Sequence, residues 1–364
     1  SVRPGRRDAL KWRLTIQLRE PSRWPPIFTI FPTAPASACA RRPSTQPSTA
    51  GGRRAPAGGG ARRVAMPGAA RDGVVAWRRL DEAAVLGARL VPDARIVLIG
   101  GGFIGLEVAA SARRRGCRVT VLDAAPRLLG RAVPEAIATR VHAAHDAQGV
   151  AIRLNRKPVA IERTSGGALA VVLDDGDTLL ADTVVAGIGI EPADELARDA
   201  GLAVERGIVV NAQLETSARG IYAAGDVAVF PSALSGQLVR QETWHGAETQ
   251  AHVAARNMLG AGEAYRDTPW FWSDQYDAQL QVAGEPALGT QSVARSLGDD
   301  AEIHFHFDAL ARLVAASGFG RAAGFVKEMR VARMLVERGI DVTPAAVADV
   351  DVKLKSLVTA VNDR

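Results

Sequence analysis

Gly100, Gly102 and Gly105 sit in the run GGGFIGLEVA, directly after the apolar run RIVLI and directly before a run with helical spacing. Each glycine in such a turn meets a different steric demand. The first allows a tight bend, the second leaves room for an anion against the backbone, and the third lets a helix pack closely on a strand. A second apolar run, RVTVLD, ends on Asp123, 23 residues beyond Gly100. Strand, glycine turn, helix, strand and terminal acid together predict a dinucleotide site. A pyrophosphate would rest on the free N–H groups of the helix N-terminus, and the acid would accept ribose hydroxyls. An acid there repels a 2′-phosphate, so the expected nucleotide is NADH rather than NADPH. Phe103 and Ile104 belong to the same turn, and Gly187 in VAGIGIEP is counted with the nucleotide-binding residues.

A second candidate is TSARGIYAAGDVAVFP, residues 216–231, where an apolar strand ends in Gly225 and Asp226. An acid exposed at the C-terminal end of a strand can bind a polyol, although a Gly-Asp pair taken alone is simply a turn.

The elements that must hold these residues can be read from the same pattern. DEAAVLGARL predicts a short helix before the strand at 95–99, and the turn and a helix through Arg115 lead to a strand at 118–123. PEAIATRVHAAHDAQG, residues 134–149, has amphipathic helical spacing. In ALAVVLDDGDTLLADTVVAGIGI the DDGD predicts a hairpin turn between two strands. Residues 64–188 therefore read as one nucleotide-binding domain. Residues 1–63 differ in kind, being dense in Arg, Pro, Ser and Gly with IFTIF as their only apolar patch, which predicts disorder. A transit peptide, a basic arm, and a wrong-frame or fused segment are the open explanations.

Net charge follows the same division. The chain carries +6, but 12 arginines and Lys11 against Asp8 and Glu20 give residues 1–63 a charge of +11, leaving the remainder at −5. A mildly acidic body does not suit nucleic acid. No apolar run reaches membrane-spanning length, so no membrane partner is expected and the predicted location is cytoplasmic. Cys39 and Cys117 are far apart and form no CxxC, against a disulfide scaffold, a zinc site or a dithiol redox centre. Cys117 reads as a partly buried residue at a helix end. His304 and His306 alternate with apolar residues in EIHFHFD, like a strand with one solvated face, and no third ligand stands near them.

The motifs together resemble the pyridine nucleotide–flavin oxidoreductases, and within them the NADH:ferredoxin reductases that serve oxygenases. The resemblance rests on GGGFIGLE, TSARGIYAAGD, VAGIGIEPADELA at 185–197, ETWHGAETQAHVAARNMLG at 242–260, PWFWSDQYD at 269–277 and the tail from FVKEMRVARMLVERGIDV onward. It covers roughly residues 64–364. It implies an α/β fold with a Rossmann-like NAD domain, part of the FAD-binding domain of the two-dinucleotide-binding flavoprotein fold at 189–267, and a small α+β C-terminal domain at 268–364. It also implies electron flow from NADH through FAD to an iron–sulfur ferredoxin or rubredoxin, and leaves the oligomeric state open.

Site roles follow from the resemblance residue by residue. Gly100, Gly102 and Gly105 would hold the NADH pyrophosphate and Asp123 its ribose. Glu107 would stand near nicotinamide and flavin, although a first-turn Glu also suits a helix N-terminus. Asp226, with Gly225, would bind the ribityl chain. Glu242 and Trp244 would lie on a strand passing along the flavin, and Trp272 near the flavin and the docked acceptor. The family's N-terminal lobe, with its own GxGxxG and a lysine paired to the acid, has no counterpart in residues 1–63. The first half of the FAD domain is therefore expected to be absent or garbled there, and this chain to bind NADH better than FAD. A non-catalytic NAD-binding remnant, and an NADH oxidase or nitrite-reductase-type flavoenzyme, are the alternatives. PWFWSDQYD and the lack of CxxC favour ferredoxin reductase over the second of these.

Overall fold

The computed structural model describes residues 58–359 apart from Arg131, Asp299 and Ala322, together with the backbone of Ala40–Arg41. The expectation of disorder over residues 1–39 and 42–57, and Cys39 with it, lies outside the described residues, whereas Ala40–Arg41 forms a short strand paired antiparallel with Ile221–Tyr222.

Five parallel strands form the central sheet, in the order Val74–Ala76, Thr183–Ala186, Arg95–Ile99, Arg118–Leu122, Ala151–Arg153. Parallel strands covered on both faces need apolar side chains on both, and here the helices cover one face while an antiparallel meander packs on the other. RIVLI meets that demand, with Ile96, Val97, Leu98 and Ile99 all buried. The helices Leu80–Arg89, Phe103–Arg114 and Glu135–Ala147 stand where helical spacing places them. The DDGD turn joins Leu169–Leu173 to Thr178–Ala181 in a three-stranded antiparallel meander with Pro158–Arg163. Cys117 is fully buried rather than partly so, with its Sγ 3.2 Å from the Val91 carbonyl, and burial pushes its thiol up from the usual range.

Two further features depart from the sequence reading. Gly59–Ala61, within the segment read as disordered, is a strand paired antiparallel with Ile190–Pro192. Glycines carry no side-chain period, so only the partner's backbone reveals this strand, and Arg62 reinforces it by donating to the carbonyls of Gly189 and Ile190. The second departure concerns Ala301–Phe307. His306 is buried and lies 2.7 Å from Ser317 Oγ, so the strand has no open solvated face there. His304 pairs instead with Glu302, which also holds Arg140 at 2.7 Å.

The cause lies in the C-terminal sheet. Its five antiparallel strands run in the order Trp270–Gln275, Ala278–Gly284, Leu313–Gly320, Ala301–Phe307, Gln291–Ser296. One face gives Ala278, Leu280, Val282 and Phe319 to the core built around Leu106, Ile137 and Val141. The other packs Ile303 and Phe305 against Phe325, Met329 and Ala332 of the helix Ala323–Glu337. A sheet covered on both sides breaks the hydrophobic–polar alternation that a half-exposed sheet would show. Between these modules lie a short sheet of Ile208–Val209, Ala228–Pro231 and Leu238–Val239, and the helix Trp244–Met258.

Candidate functional site

The glycine turn leaves the sheet beside its switch in strand order, where Arg95–Ile99 neighbours Thr183–Ala186 and each strand ends in a glycine. Ligands of open α/β sheets bind outside the carboxyl ends of strands at such a point. Gly100 has φ +108°, and a Cβ built on it would lie 2.5 Å from the Gly187 carbonyl oxygen. A Cβ on Gly105 would lie 2.1 Å from the Gly100 carbonyl oxygen. Turn, helix and neighbouring strand thus meet backbone to backbone through Gly100, Gly105 and Gly187. Gly102 differs: it caps the helix Phe103–Arg114, and a Cβ there meets no atom within 4 Å. Its surroundings form an open cradle at a helix N-terminus, as a pyrophosphate requires.

Asp123 closes the other side of the cradle. Its Oδ2 accepts from the Gly101 N–H at 2.7 Å and its Oδ1 from the Ala125 N–H at 2.7 Å. Each carboxylate oxygen keeps a further lone pair for a hydroxyl. Phe103 packs edge-on against Phe271 at 5.0 Å, whereas Ile104 is exposed.

This separation yields a prediction. Gly102→Ala costs less than about 1 kcal/mol of stability as a change of N-cap residue, yet it puts a methyl group into the cradle. NADH binding, followed by fluorescence titration, is expected to weaken about tenfold, or about 1.4 kcal/mol, with little change in Tm. Unchanged affinity would remove Gly102 from the site.

Glu107 lies one turn into the same helix and faces the C-terminal sheet. Its Oε1 accepts from Ser273 Oγ at 2.6 Å, and the carboxyl also accepts from the Asp274 backbone N–H. Burial raises its pKa to about 7, helped by the nearby charge of Asp274, while the two hydrogen bonds pull the other way. At neutral pH both its protonation states are therefore accessible. The strand that carries its partner Ser273 also carries an aromatic cluster. Trp272 stacks on Trp270 at 4.6 Å and meets Trp244 edge-on at 6.2 Å, and the Arg333 guanidinium lies 4.3 Å above the Trp270 ring.

Trp244 is the first residue of the helix Trp244–Met258, capped by the Thr243 hydroxyl, which accepts from the Gly246 N–H at 3.0 Å. Glu242 and Trp244 therefore stand at a helix entrance and not on a strand, because Thr243 is a better cap than a strand continuation. Glu242 pairs with Arg240 at 2.7 Å. Gly225 has φ +81° and donates its N–H to Gln250 Oε1 at 2.8 Å, which aims Asp226 out of the turn. Asp226 then pairs with Arg78 Nη2 at 2.8 Å, and Arg78 Nε also donates to the Gly59 carbonyl at 3.0 Å. Arg78 was not among the residues singled out in the sequence. Its partner is 148 residues away, and the only local signal is a basic pair before an acidic helix start. The structure brings Glu107 to Ser273 beside Trp272 and Trp244 to Trp272, so three separate stretches of chain converge.

Comparison with known proteins agrees with this geometry. The family model described as pyridine nucleotide-disulphide oxidoreductase matches residues 57–255, and the reductase C-terminal model matches residues 270–358. The chain belongs to the pyridine nucleotide-disulphide oxidoreductases. It is 45% identical over 291 residues to the ferredoxin–NAD(+) reductase component of the anthranilate 1,2-dioxygenase system of Burkholderia cepacia, covering 79% of this chain and 70% of that one. It is 36% identical over 302 residues to rhodocoxin reductase of Rhodococcus erythropolis, covering 83% and 70%. Among solved structures, the ferredoxin reductase for the CYP199A2 system of Rhodopseudomonas palustris matches with a TM-score of 0.77 and 36% identity, covering 82% and 73%. Putidaredoxin reductase, in its covalent complex with putidaredoxin, gives 0.77 and 33%, covering 84% and 74%. The two-dinucleotide-binding flavoprotein fold with its C-terminal reductase domain is thereby established for this family member. The expectation that the lobe holding the ADP half of a flavin is absent or garbled in residues 1–63 falls largely outside the described residues.

Proposed function

We propose that this chain is an NADH-dependent flavoprotein reductase that passes electrons to an iron–sulfur ferredoxin or rubredoxin serving an oxygenase. The observation that carries this reading is that the strand Trp270–Gln275 receives both Glu107 of the nucleotide-turn helix, at Ser273, and Trp244, at Trp272. Gly100, Gly102 and Gly105 hold the NADH pyrophosphate, with Gly187 as floor and Phe103 and Ile104 opening the helix above it. Asp123 accepts the ribose hydroxyls. Asp226 binds the ribityl chain and Arg78 holds its carboxylate in place, while Glu242 and Trp244 line the flavin's edge. Bound FAD supplies the conversion between a two-electron hydride donor and a one-electron acceptor. Glu107 holds a proton, or gives it up, beside the reacting rings, and Trp272 shields them on the acceptor's side.

No described helix is long and apolar enough to cross a membrane, and we place the reductase in the cytoplasm. The domain limits 64–188, 189–267 and 268–364 fit these roles, with the paired strands Gly59–Ala61 and Ile190–Pro192 at the first junction. Residues 1–63 carry no GxGxxG motif for the ADP half of a flavin, so NADH is expected to bind more tightly than FAD. Asp226→Ala tests the assignment. With FAD supplied, NADH oxidation coupled to a one-electron acceptor is expected to fall at least about tenfold, through loss of a charge-assisted contact worth roughly 1.5–3 kcal/mol. NADH affinity should be kept. Equal rates for variant and parent would reject Asp226 as a flavin ligand.

A further inference from the structure

Behind Glu107 runs a buried row of hydrogen bonds. Ser273 Oγ donates to Glu107 Oε1 at 2.6 Å, and Gln275 Nε2 donates to Ser273 Oγ at 2.9 Å. That leaves Gln275 Oε1 to accept, and His145 Nε2 lies 3.0 Å from it. His145 Nε2 must then carry the proton, so its Nδ1 is bare and accepts from the Tyr276 hydroxyl at 3.0 Å. Every donor in the row points toward Glu107. An amide in the middle cannot pass a proton along without tautomerising, so the row does not conduct protons. It polarises instead, since each bond strengthens the next one.

Tyr276 supplies an independent observation. It occupies the two-residue turn between Trp270–Gln275 and Ala278–Gly284 with φ +60°. Such a position favours Gly, Asn or Asp, and a bulky side chain there costs roughly 1–3 kcal/mol. What the tyrosine gains is His145: their rings lie 5.0 Å apart, and its hydroxyl ends the row. Ser273, Gln275 and His145 are all buried, where unpaired polar groups would be costly.

We propose that Tyr276, His145, Gln275 and Ser273 are positioning residues, a one-way donor chain that fixes the Glu107 carboxyl and eases release of its proton. The chain's purpose rests on the reductase reading given above; its existence does not. The charged groups around it are few. Asp274 faces Glu107, although its Oδ1 is engaged by Gln279 Nε2 at 2.8 Å. His142 and Asp146 act on His145 from its own helix, and Arg113 and Arg114 act on Tyr276 from the neighbouring one. Burial keeps His145 neutral, with its pKa lowered to about 4, and pushes Tyr276 upward, so both hold the protonation the chain requires across the neutral range.

The test is infrared difference spectroscopy of the full chain across pH, with Glu107→Gln identifying the Glu107 carboxyl band. Ser273→Ala should raise the proton affinity of Glu107 about tenfold by removing a bond to a charged group, and Ser273→Thr should restore it. Tyr276→Phe removes one oxygen at the half-buried end of the chain and keeps the ring. It should shift the band in the same direction by about twofold, as expected of a remote member of a polarised row. A band that titrates unchanged in Tyr276→Phe would overturn the chain, even if Ser273→Ala failed to fold. Flavin reduction by NADH, recorded on the same samples, separates the two readings. A shifted band without reduction would remove the reductase reading and leave the chain standing, whereas reduction with an unmoved band would remove the chain alone.

Discussion

Gly105→Ala is expected to lower stability by about 3 kcal/mol, a fall in Tm of roughly 6–12 °C, and to abolish NADH binding. Alanine favours a helix interior over glycine by about 1 kcal/mol, so propensity alone predicts stabilisation. Geometry decides otherwise. The added Cβ would lie 2.1 Å from the Gly100 carbonyl oxygen, and that oxygen belongs to backbone that cannot swing aside. The helix must lift from the strand, which opens the contact among Gly100, Gly105 and Gly187 and displaces the cradle at Gly102. Calorimetry of Gly105→Ala beside Gly102→Ala makes the comparison. One methyl group unfolds the turn and the other only crowds its ligand. Two variants of equal stability would mean that the close packing of turn and helix is not as described.

Acid should unfold the protein by a route that two histidines set. Burial lowers the pKa of His145 and of His306 to about 4, from an ordinary 6.5. The unfolded chain therefore binds more protons than the folded one between pH 6.5 and 4. The stability held above pH 6.5 is lost as pH falls through that window, by about 3 kcal/mol per histidine. Glu107 acts in the opposite sense. With a folded pKa of about 7 against an ordinary 4.5, it favours the folded state as pH falls from 7 to 4.5, offsetting about one histidine. The net loss expected is about 3 kcal/mol. Glu107→Gln should steepen the fall in Tm between pH 7 and 4.5, and His306→Gln should flatten it. Parallel Tm profiles for all three proteins would rule out this assignment of the titrating groups.

Much of this was legible in the chain, for identifiable reasons. Local constraints wrote the nucleotide turn: its three glycines, the RIVLI run and Asp123 lie within 29 residues of sequence, where steric rules act directly. The DDGD hairpin and the helix at 135–147 were legible for the same reason. What escaped depends on partners far away. Arg78 gains its role from Asp226, and Gly59–Ala61 from Ile190–Pro192. His306 looked solvated because alternation signals an open face only when one side of a sheet is bare, and here a helix and a second core cover both. Glu242 and Trp244 read as strand until the Thr243 cap showed a helix entrance. Ser273 and Gln275 were in view within PWFWSDQYD, but their link to Glu107 and His145 joins positions 130 to 166 residues apart.

The most direct measurement is a visible absorbance spectrum of the purified chain, taken before and after adding FAD and then NADH. Little flavin is expected at first. Added FAD should give the bands of a protein-bound flavin, and NADH should then bleach them. A spectrum that stays that of free FAD, unbleached by NADH, would contradict the reductase reading and leave this chain as a protein that binds NADH alone.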